Sequence, residues 1–379
     1  MDDSALVIET LPEIGAITPR EWDALVPGNH PFLKHAFLKS LEDAGCVGGE
    51  TGWQPCHVRL AAAGRTLAAA PLYLKSHSQG EYVFDHGWAN AYQQAGGDYY
   101  PKLQLSVPFS PVPGPRLLTN GDAAHRAVLI DGLKRIAGRM GVSGLHVTFC
   151  REDDWQALAE AGFLKRIDHQ FHWTNEGYGR FDDFLAALSA SRRKTIRRER
   201  RDAMAGGLKV DILSGDDITE AHWDAMFAFY MDTGSRKWGR PYLNREFFSL
   251  LGERLAEHVV LMLASDGGRP VAGALHLKSD DTLYGRYWGC TSDIPFLHFE
   301  LCYYRAIDYA IAHGLKRVEA GAQGGHKLAR GYLPNETMSA HWITDPGFRH
   351  AVADYLERER HYVHEEGTEL GAHAPFRKG

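Results

Sequence analysis

Cysteine is scarce in this chain, and long apolar runs are absent. The five cysteines among 379 residues are scattered, and none belongs to a C-x-x-C pair. An odd number at irregular spacing fits a reducing compartment better than a disulfide framework or a zinc site. Because no run of about 18 apolar residues occurs, we expect no membrane-spanning helix. The acidic start MDDSALVIET lacks the apolar stretch of a signal peptide, so we expect a cytoplasmic protein.

Motifs for metal and hydrolytic chemistry are missing as well. The chain has 20 histidines, but it has no H-E-x-x-H and no tight histidine–cysteine cluster, so we expect no metal site. The absence of G-x-S-x-G removes support for a hydrolase of that class. A glycine-rich stretch does occur, yet it matches neither G-x-G-x-x-G nor the P-loop pattern G-x-x-x-x-G-K-[ST]. Function must therefore be argued from other residues.

Positive charge is concentrated in one segment of an otherwise acidic chain. A formal net charge of −6 argues against attraction of nucleic acid or anionic lipid over the whole surface. The run SRRKTIRRERRD, from Ser191 to Asp202, is rich in arginine. Guanidinium groups match phosphate oxygens, so this segment is predicted to bind a phosphate, a pyrophosphate or an RNA backbone. The alternative is a solvated helix whose charges pair with Glu199 and Asp202. The predicted phosphate contacts in this segment are Arg192, Arg193 and Arg197.

The order of predicted helices and strands repeats roughly twice along the chain. Each half contains two helices, a hairpin, and then helix–strand–helix–strand, which indicates an α/β fold with mixed, α+β-type sheets. Thr18-Pro19-Arg20-Glu21 is typical of a capping box at a helix start, and Ser265–Pro270 is typical of a hairpin turn. We predict two domains, 1–178 and 179–379, divided near the linker-like NEGYGR. The second would begin with a basic helical arm (181–207) and end in a mobile tail.

The most distinctive segment is EAGAQGGHKLARGYLP, from Glu319 to Pro334. It follows a predicted strand, and its glycines can adopt positive φ or bring the backbone close to a ligand. A predicted helix at 326–330 would present its N-terminus to an anion. Gln323 and His326 are candidate contacts to a carbonyl or hydroxyl group. The candidate donor- and phosphate-binding residues here are Gly321, Gly324, Gly325, Lys327 and Arg330. The alternative is a structural turn with solvated charges.

Two further sets of residues are candidates for a transfer reaction. Glu319, Glu300 and His298 could each act as general base for an amine nucleophile, and a hydrogen-bonded structural role is the alternative for each. The predicted catalytic set is Glu319, Gln323, His326 and Glu300. The segments 84–92 and 99–116 are rich in aromatic residues, proline and glycine, which indicates either a cleft wall or ordinary packing. The predicted substrate-cleft residues are Asp85, Trp88, Lys102, Arg286 and Trp288.

Several long stretches between about Pro31 and Asp345 carry a family resemblance. They are PFLKHAFLKSLEDAG, TGWQP, FDHGWANAY, YYPKLQLSVPFSPVPGPRLL, HFELCYYRAIDYAIAHGLKRVEAGAQGGHKLARGYLP and SAHWI. With these stretches the chain resembles a bacterial family of predicted N-acyltransferases, grouped with Fem-type aminoacyltransferases of peptidoglycan biosynthesis and with GNAT-type acetyltransferases. The resemblance implies two GNAT-like domains in tandem. The basic run also resembles the R-x-x-I-R stretch that opens the second Fem-type domain. One departure is Gly325, where the family pattern has an acidic residue.

The resemblance implies transfer of an acyl or aminoacyl group to an amine acceptor, such as a cell-wall precursor. The donor would be acyl-CoA or aminoacyl-tRNA, used as a co-substrate, and no permanently bound cofactor is expected. Holding donor and amine together can by itself lower the barrier by up to about 7–11 kcal/mol. Gln323 would polarise the carbonyl, and Glu319, Glu300 or His326 would accept the amine proton. The alternative is a non-catalytic ligand- or RNA-binding protein on a degenerate acyltransferase scaffold. The sequence leaves the oligomeric state open.

Overall fold

The computed structural model describes residues 5–237, 241–321 and 324–377 and contains both helices and strands. The strands are β1 (Val7–Leu11), β2 (Trp53–Pro55), β3 (His57–Ala62), β4 (Arg65–Ala70), β5 (Leu72–Lys75), β6 (Lys102–Leu105), β7 (Gly144–Cys150), β8 (Leu164–Thr174), β9 (Lys209–Leu213), β10 (Val259–Asp266), β11 (Arg269–Lys278), β12 (Thr282–Cys290), β13 (Arg317–Glu319) and β14 (Leu333–Ile343). The helices are α1 (Pro19–Asp23), α2 (His35–Asp43), α3 (His86–Gln94), α4 (Ala123–Met140), α5 (Glu152–Glu160), α6 (Phe181–Ala187), α7 (Ala190–Ala203), α8 (Glu220–Lys237), α9 (Arg245–Leu255), α10 (Leu297–Phe299), α11 (Arg305–Ala312) and α12 (Pro346–Ala372). This content confirms the predicted mixed α/β class.

The described residues form two compact units that are interleaved in sequence. Unit 1 comprises the described residues up to Asp168 together with Glu336–Glu365. Unit 2 comprises the described residues of His169–Asn335 together with those from Glu366 onward. The division into domains 1–178 and 179–379 stays a prediction.

Unit 1 contains two sheets. One has the order β1-β3-β4 and is antiparallel throughout, and the other has the order β2-β5-β6-β7-β14. In the second sheet only β6 and β7 run parallel, with Leu103 opposite Leu145. Helix α4 makes the crossover between them: the Asp122 side chain caps its N-terminus, and Gly141 ends it at φ 63°. Buried aliphatic side chains of these strands and of α4 form the core of the unit.

Unit 2 contains one sheet with the order β8-β13-β12-β11-β10-β9. The single parallel pair among these described strands is β12 with β13, and α10, a π-helical turn (Glu300–Tyr304) and α11 connect the two. Helix α8 packs against β12 at Gly289, where an added Cβ would lie 2.1 Å from the Phe229 carbonyl oxygen. Only glycine fits there. In each unit, therefore, a helical crossover joins two neighbouring parallel strands.

Two predicted features of unit 2 differ from the structure. The basic arm forms two helices, α6 and α7, because the backbone at Leu188 is extended. The tail that we predicted to be mobile continues as α12 to Ala372 and then packs back on this break. The Ser189 N–H donates to the Pro375 carbonyl at 3.0 Å, and Phe376 lies against Phe184. Backbone pairing and aromatic contact thus hold the tail in place.

Candidate active site

The candidate site lies in unit 2, where the parallel strands β12 and β13 separate. Their pairing ends at Tyr284 opposite Glu319, and β12 continues to Cys290. Beyond this point the chain after β13 stays with β8, since the Ala320 N–H donates to the Phe171 carbonyl at 3.3 Å. The edge of β12 beyond Tyr284 is therefore no longer paired with β13.

A β-bulge marks the same place on β12. Against β11, Tyr287 lies opposite Leu275 and Gly285 lies opposite His276, so that Arg286 is the extra residue. Bulges change the direction of side chains and often occur beside active sites. The structure thus puts Arg286, a predicted substrate-cleft residue, at the opening between the strands.

Glu319 is the last residue of β13 and is buried, at 4% exposure. Among the described residues its Oε2 has no hydrogen-bond partner, and this oxygen lies 4.0 Å from Nε2 of His172 on β8. Burial raises the pKa of Glu319 to about 7, although nearby Arg317 acts in the opposite direction. The sequence analysis named this carboxylate as a candidate base, and the structure gives it an environment suited to proton transfer near neutral pH.

His172 is a neighbour that the sequence analysis missed. It is 5% exposed, and burial lowers its pKa to about 3, with Arg317 and Lys327 contributing. The imidazole is therefore neutral at pH 7, and its contact with Glu319 is not an ion pair. No local signal could have identified His172, because β8 lies far from β13 in sequence and becomes its neighbour only in the sheet.

The glycine-rich loop after β13 carries two further predicted residues. Lys327 is 4% exposed, and its Nζ donates to the Gly321 carbonyl at 3.0 Å across the loop. Burial lowers the pKa of Lys327 to about 8. Gly324 has φ 116°, and an added Cβ there would lie 2.5 Å from the ring of His326, so this position needs glycine. Gln323 lies outside the described residues.

The predicted helix N-terminus at this loop is short. The segment Gly325–Arg330 is a 3₁₀-helix of six residues. Such a short helix has little macrodipole, which argues against binding of an anion by Gly325 on this ground alone.

His326 is exposed and belongs to a cluster of rings beside the loop. Its Nε2 is 3.0 Å from the Tyr303 hydroxyl, and its ring centroid is 5.6 Å from that of Phe299. His298 lies 5.1 Å from Trp288 and 5.3 Å from Tyr303. The structure therefore brings together His326 and Trp288, two predicted site residues, through the intervening rings. Tyr303 was missed because an aromatic residue on an apolar helical face is typical of a core.

Glu300, the other predicted base, has a different environment. Its side chain is 1% exposed and accepts two hydrogen bonds of 3.0 Å from Arg200 and one of 2.8 Å from Arg305. Two arginines thus occupy both carboxylate oxygens. This pairing argues against a role as proton acceptor and favours the structural alternative.

The basic helix α7 has one buried and one exposed face. Ile196 and Glu199 are buried, and half-buried Arg193 donates to the Leu185 and Leu188 carbonyls. Arg197 is exposed and bonded to Asp182 at 3.3 Å. The remaining exposed cations of the predicted phosphate-binding run are Arg192, Lys194, Arg198 and Arg201.

Arg330, predicted to contact an anion, is buried instead. It is 7% exposed, and its Nη2 donates to both carboxylate oxygens of Glu199, at 2.8 and 2.9 Å. The charge is neutralised inside unit 2, which argues against contact with a donor phosphate.

Three predicted cleft residues lie in the interior of unit 1. The Lys102 Nζ is fully buried and donates to Glu81 at 2.7 Å and also to Asp85. Trp88 is 7% exposed, with its ring 4.9 Å from that of His341. Burial alone would raise the pKa of Asp85, but Lys102 outweighs it and holds the pKa well below its ordinary value. These contacts favour packing, the alternative to a cleft wall.

Neither a metal site nor a membrane span is found in the part of the chain that the structure describes. Within residues 5–237, 241–321 and 324–377, no group of three or more histidine, cysteine, aspartate or glutamate side chains could hold a metal ion. Over the same residues, no helix is both long and apolar enough to cross a bilayer.

Comparisons with solved structures extend over nearly the whole chain. FemX matches with a TM-score of 0.56 at 12% identity, covering 89% of this chain and 98% of that one. L-PGS from Bacillus licheniformis matches with a TM-score of 0.52 at 9% identity, covering 84% and 95%. A tandem GNAT protein from the clavulanic acid biosynthesis pathway has a TM-score of 0.47 at 12% identity, covering 90% and 99%. At such identities the likeness to FemX and L-PGS concerns the fold alone, and it confirms the Fem-type fold that the family resemblance implied.

The comparison with protein families is more specific. A search of curated proteins finds no match. The model of one family, described as peptidoglycan biosynthesis/recognition, matches residues 13–378. This membership supports an acyl- or aminoacyl-group transferase. The chain belongs to the FemAB-like family.

Proposed function

We propose that this protein transfers an acyl or aminoacyl group from an activated donor to an amine, at the opening between β12 and β13. One observation carries the proposal: Glu319, buried and with an oxygen that lacks a partner among the described residues, ends β13 at that opening. Its pKa of about 7 suits a general base at neutral pH. Family membership supports the reaction class, and an amine on a peptidoglycan precursor is the proposed acceptor.

The proposed reaction needs a proton acceptor and donors for a carbonyl oxygen. The amine nitrogen attacks the carbonyl carbon of the thioester or ester, a C–N bond forms, and the C–S or C–O bond breaks. Glu319 takes the proton from the amine, and the leaving thiolate or alkoxide is protonated in turn. Arg317 forms an ion pair with Oε1 of Glu319 at 3.4 Å, whereas neutral His172 forms none with Oε2, so that Oε2 is the oxygen proposed to accept the proton. A backbone N–H group or the Gln323 side chain is proposed to stabilise the oxyanion.

The donor is proposed to bind through the exposed face of α7. Lys194, Arg198 and Arg201 share this face and present cations over about two helical turns, as a polyphosphate or an RNA backbone requires. Acyl-CoA and aminoacyl-tRNA both fit this chemistry, and both are tested below. Lys327 and His326, at the loop, are proposed to contact the acyl end of the donor or the acceptor.

The internal contacts of Lys327 and Arg330 favour one alternative, a non-catalytic binding protein on the same scaffold. Both side chains were predicted to contact anions, and both are bonded within unit 2. A binding protein would be stabilised by a ligand without consuming it.

Thermal unfolding and turnover together test the proposal. We would measure unfolding with acetyl-CoA, longer acyl-CoAs, free CoA and bulk aminoacylated tRNA, and then follow transfer to lysine-containing peptidoglycan precursors by mass spectrometry. We expect one donor class to stabilise the protein and to be consumed. Glu319→Gln should lower the rate by about 10²-fold or more, whereas Glu253→Gln, an exposed glutamate of α9, should not. Stabilisation without consumption of any donor would favour the binding protein. Full activity of Glu319→Gln would refute the role of this carboxylate.

A further inference from the structure

The side chain of Arg330 connects the basic helix α7 to the loop that carries His326. On one side, its Nη2 donates to both carboxylate oxygens of Glu199, and both residues are less than a tenth exposed. On the other side, its Nη1 donates to the His326 carbonyl at 2.7 Å. A planar guanidinium can make these contacts simultaneously, and an ammonium cannot.

The same guanidinium also fixes a ring of the site. Its central carbon lies 3.4 Å from the ring centroid of Phe299, within the range of a cation–π contact. The Phe299 ring in turn lies 5.6 Å from the His326 imidazole. The Arg330 side chain therefore contacts the backbone of His326 directly. It also supports the His326 imidazole through the Phe299 ring, which lies between them.

Helix α7 is firmly anchored at this position. The Tyr304 hydroxyl donates to Glu199, and the next residue, Arg200, is bonded to Glu300 and, at 2.6 Å, to Asp308. These contacts lie on one side of α7 and leave the cations of the other side exposed. A buried charge pair with this many contacts has a defined geometry, which suits it to position other groups.

We propose that Arg330 is a positioning residue, which holds the His326 imidazole and the Phe299 ring at a fixed position relative to helix α7. This rests on the proposed function in that α7 binds the phosphates of the donor and His326 faces its acyl end. A donor held along α7 would then present its reactive group at a fixed distance from His326. Arg330 itself contacts neither donor nor acceptor.

The test begins without any ligand. In protein labelled with ¹³C at the histidine rings, His326→Gln assigns the His326 signal, which should be displaced by the neighbouring aromatic rings. Arg330→Lys keeps the charge but removes the planar guanidinium that contacts both Glu199 and His326. The His326 signal should therefore move toward that of a solvent-exposed histidine. Arg269→Lys, at the exposed first residue of β11, is the matched control and should leave the His326 signal unmoved. A folded Arg330→Lys protein with an unmoved His326 signal would overturn the proposal.

A second variant covers the case in which Arg330→Lys does not fold. Glu199→Gln keeps the shape of the partner and weakens the pair, so it should move the same signal in the same direction. An unmoved signal in folded Glu199→Gln would count equally against positioning.

Turnover then separates this proposal from the proposed function. With the donor that wild type consumes, Arg330→Lys should lower kcat on the order of 10²-fold, as misplacement of a reacting group does, and leave KM for the donor nearly unchanged. A raised KM with unchanged kcat would instead make Arg330 a donor contact and overturn positioning. If wild type consumes no donor, the proposed function fails, and the histidine signals still decide whether Arg330 positions His326.

Discussion

Replacement of Glu319 by glutamine should change how the stability of the protein depends on pH. Burial raises the pKa of Glu319 from its ordinary value of 4.5 to about 7. Between these values the folded chain binds a proton that the unfolded chain has released. The free energy of unfolding therefore falls as pH rises through this window, and above it the loss is complete. At 1.36 kcal/mol for each pKa unit, the loss due to Glu319 is about 3 kcal/mol.

Glu319→Gln removes this ionisation at nearly constant shape. Relative to wild type, the variant should gain about 3 kcal/mol between pH 4.5 and pH 8, because only wild type loses stability there. Urea unfolding at several pH values, followed by tryptophan fluorescence, measures the difference between the two proteins, and Glu253→Gln is the control. A difference that stays constant to within about 1 kcal/mol over this range would refute the inferred environment of Glu319, whatever the activity of the protein.

The other predictions concern charges that the structure places on the surface or in the interior. Glu300→Gln should lower the free energy of unfolding by about 3 kcal/mol, since it breaks a buried pair with two arginines, and turnover per folded molecule should persist. Lost turnover at unchanged stability would instead support the base role predicted from sequence. Lys102→Met should destabilise unit 1 by about 3–5 kcal/mol in thermal or urea unfolding, because two buried carboxylates lose their partner, and exposed Lys209→Met should cost less than about 1 kcal/mol. If tRNA binds, changing the three exposed cations Lys194, Arg198 and Arg201 of α7 to glutamine should reduce the salt dependence of log K by about 2–3 and leave the melting temperature nearly unchanged. An unchanged slope would remove α7 from the donor site.

Local patterns in the sequence were sufficient for the fold class and for many elements. The capping box at Thr18 is present, with both of its hydrogen bonds, and the predicted hairpin turn joins β10 to β11. The predicted strand before the glycine-rich loop is β13. These features depend on residues that are close in sequence, where backbone preferences and capping act directly. The family resemblance supplied the tandem arrangement, which the fold confirms.

The arrangement of the site depends on contacts that sequence spacing does not reveal. His172 reaches Glu319 only because β8 pairs with β13. Arg330 was predicted to bind an anion because it is a cation of the glycine-rich loop, and it is buried because Glu199, on α7, neutralises it. Lys102 and Asp85 were predicted to line a cleft because they supply charge in segments rich in aromatic residues, proline and glycine, and each neutralises the other in the interior. Charge in a sequence indicates that a partner is needed and does not show whether that partner is a ligand or another side chain.

The interleaving of the two units bears on synthesis by the ribosome. In unit 1, β7 needs β14 as its neighbour, with Ala340 opposite Val147, so β7 has an unpaired edge until almost the whole chain has emerged. A nascent chain normally completes its first domain early, and here that step must wait for residues near 343. Until then β7 offers a row of free N–H and C=O groups to any other chain. Slow translation and chaperones that cover strand edges should therefore matter more for this protein than for one whose units are continuous in sequence, and expression of residues 1–178 alone should yield aggregate.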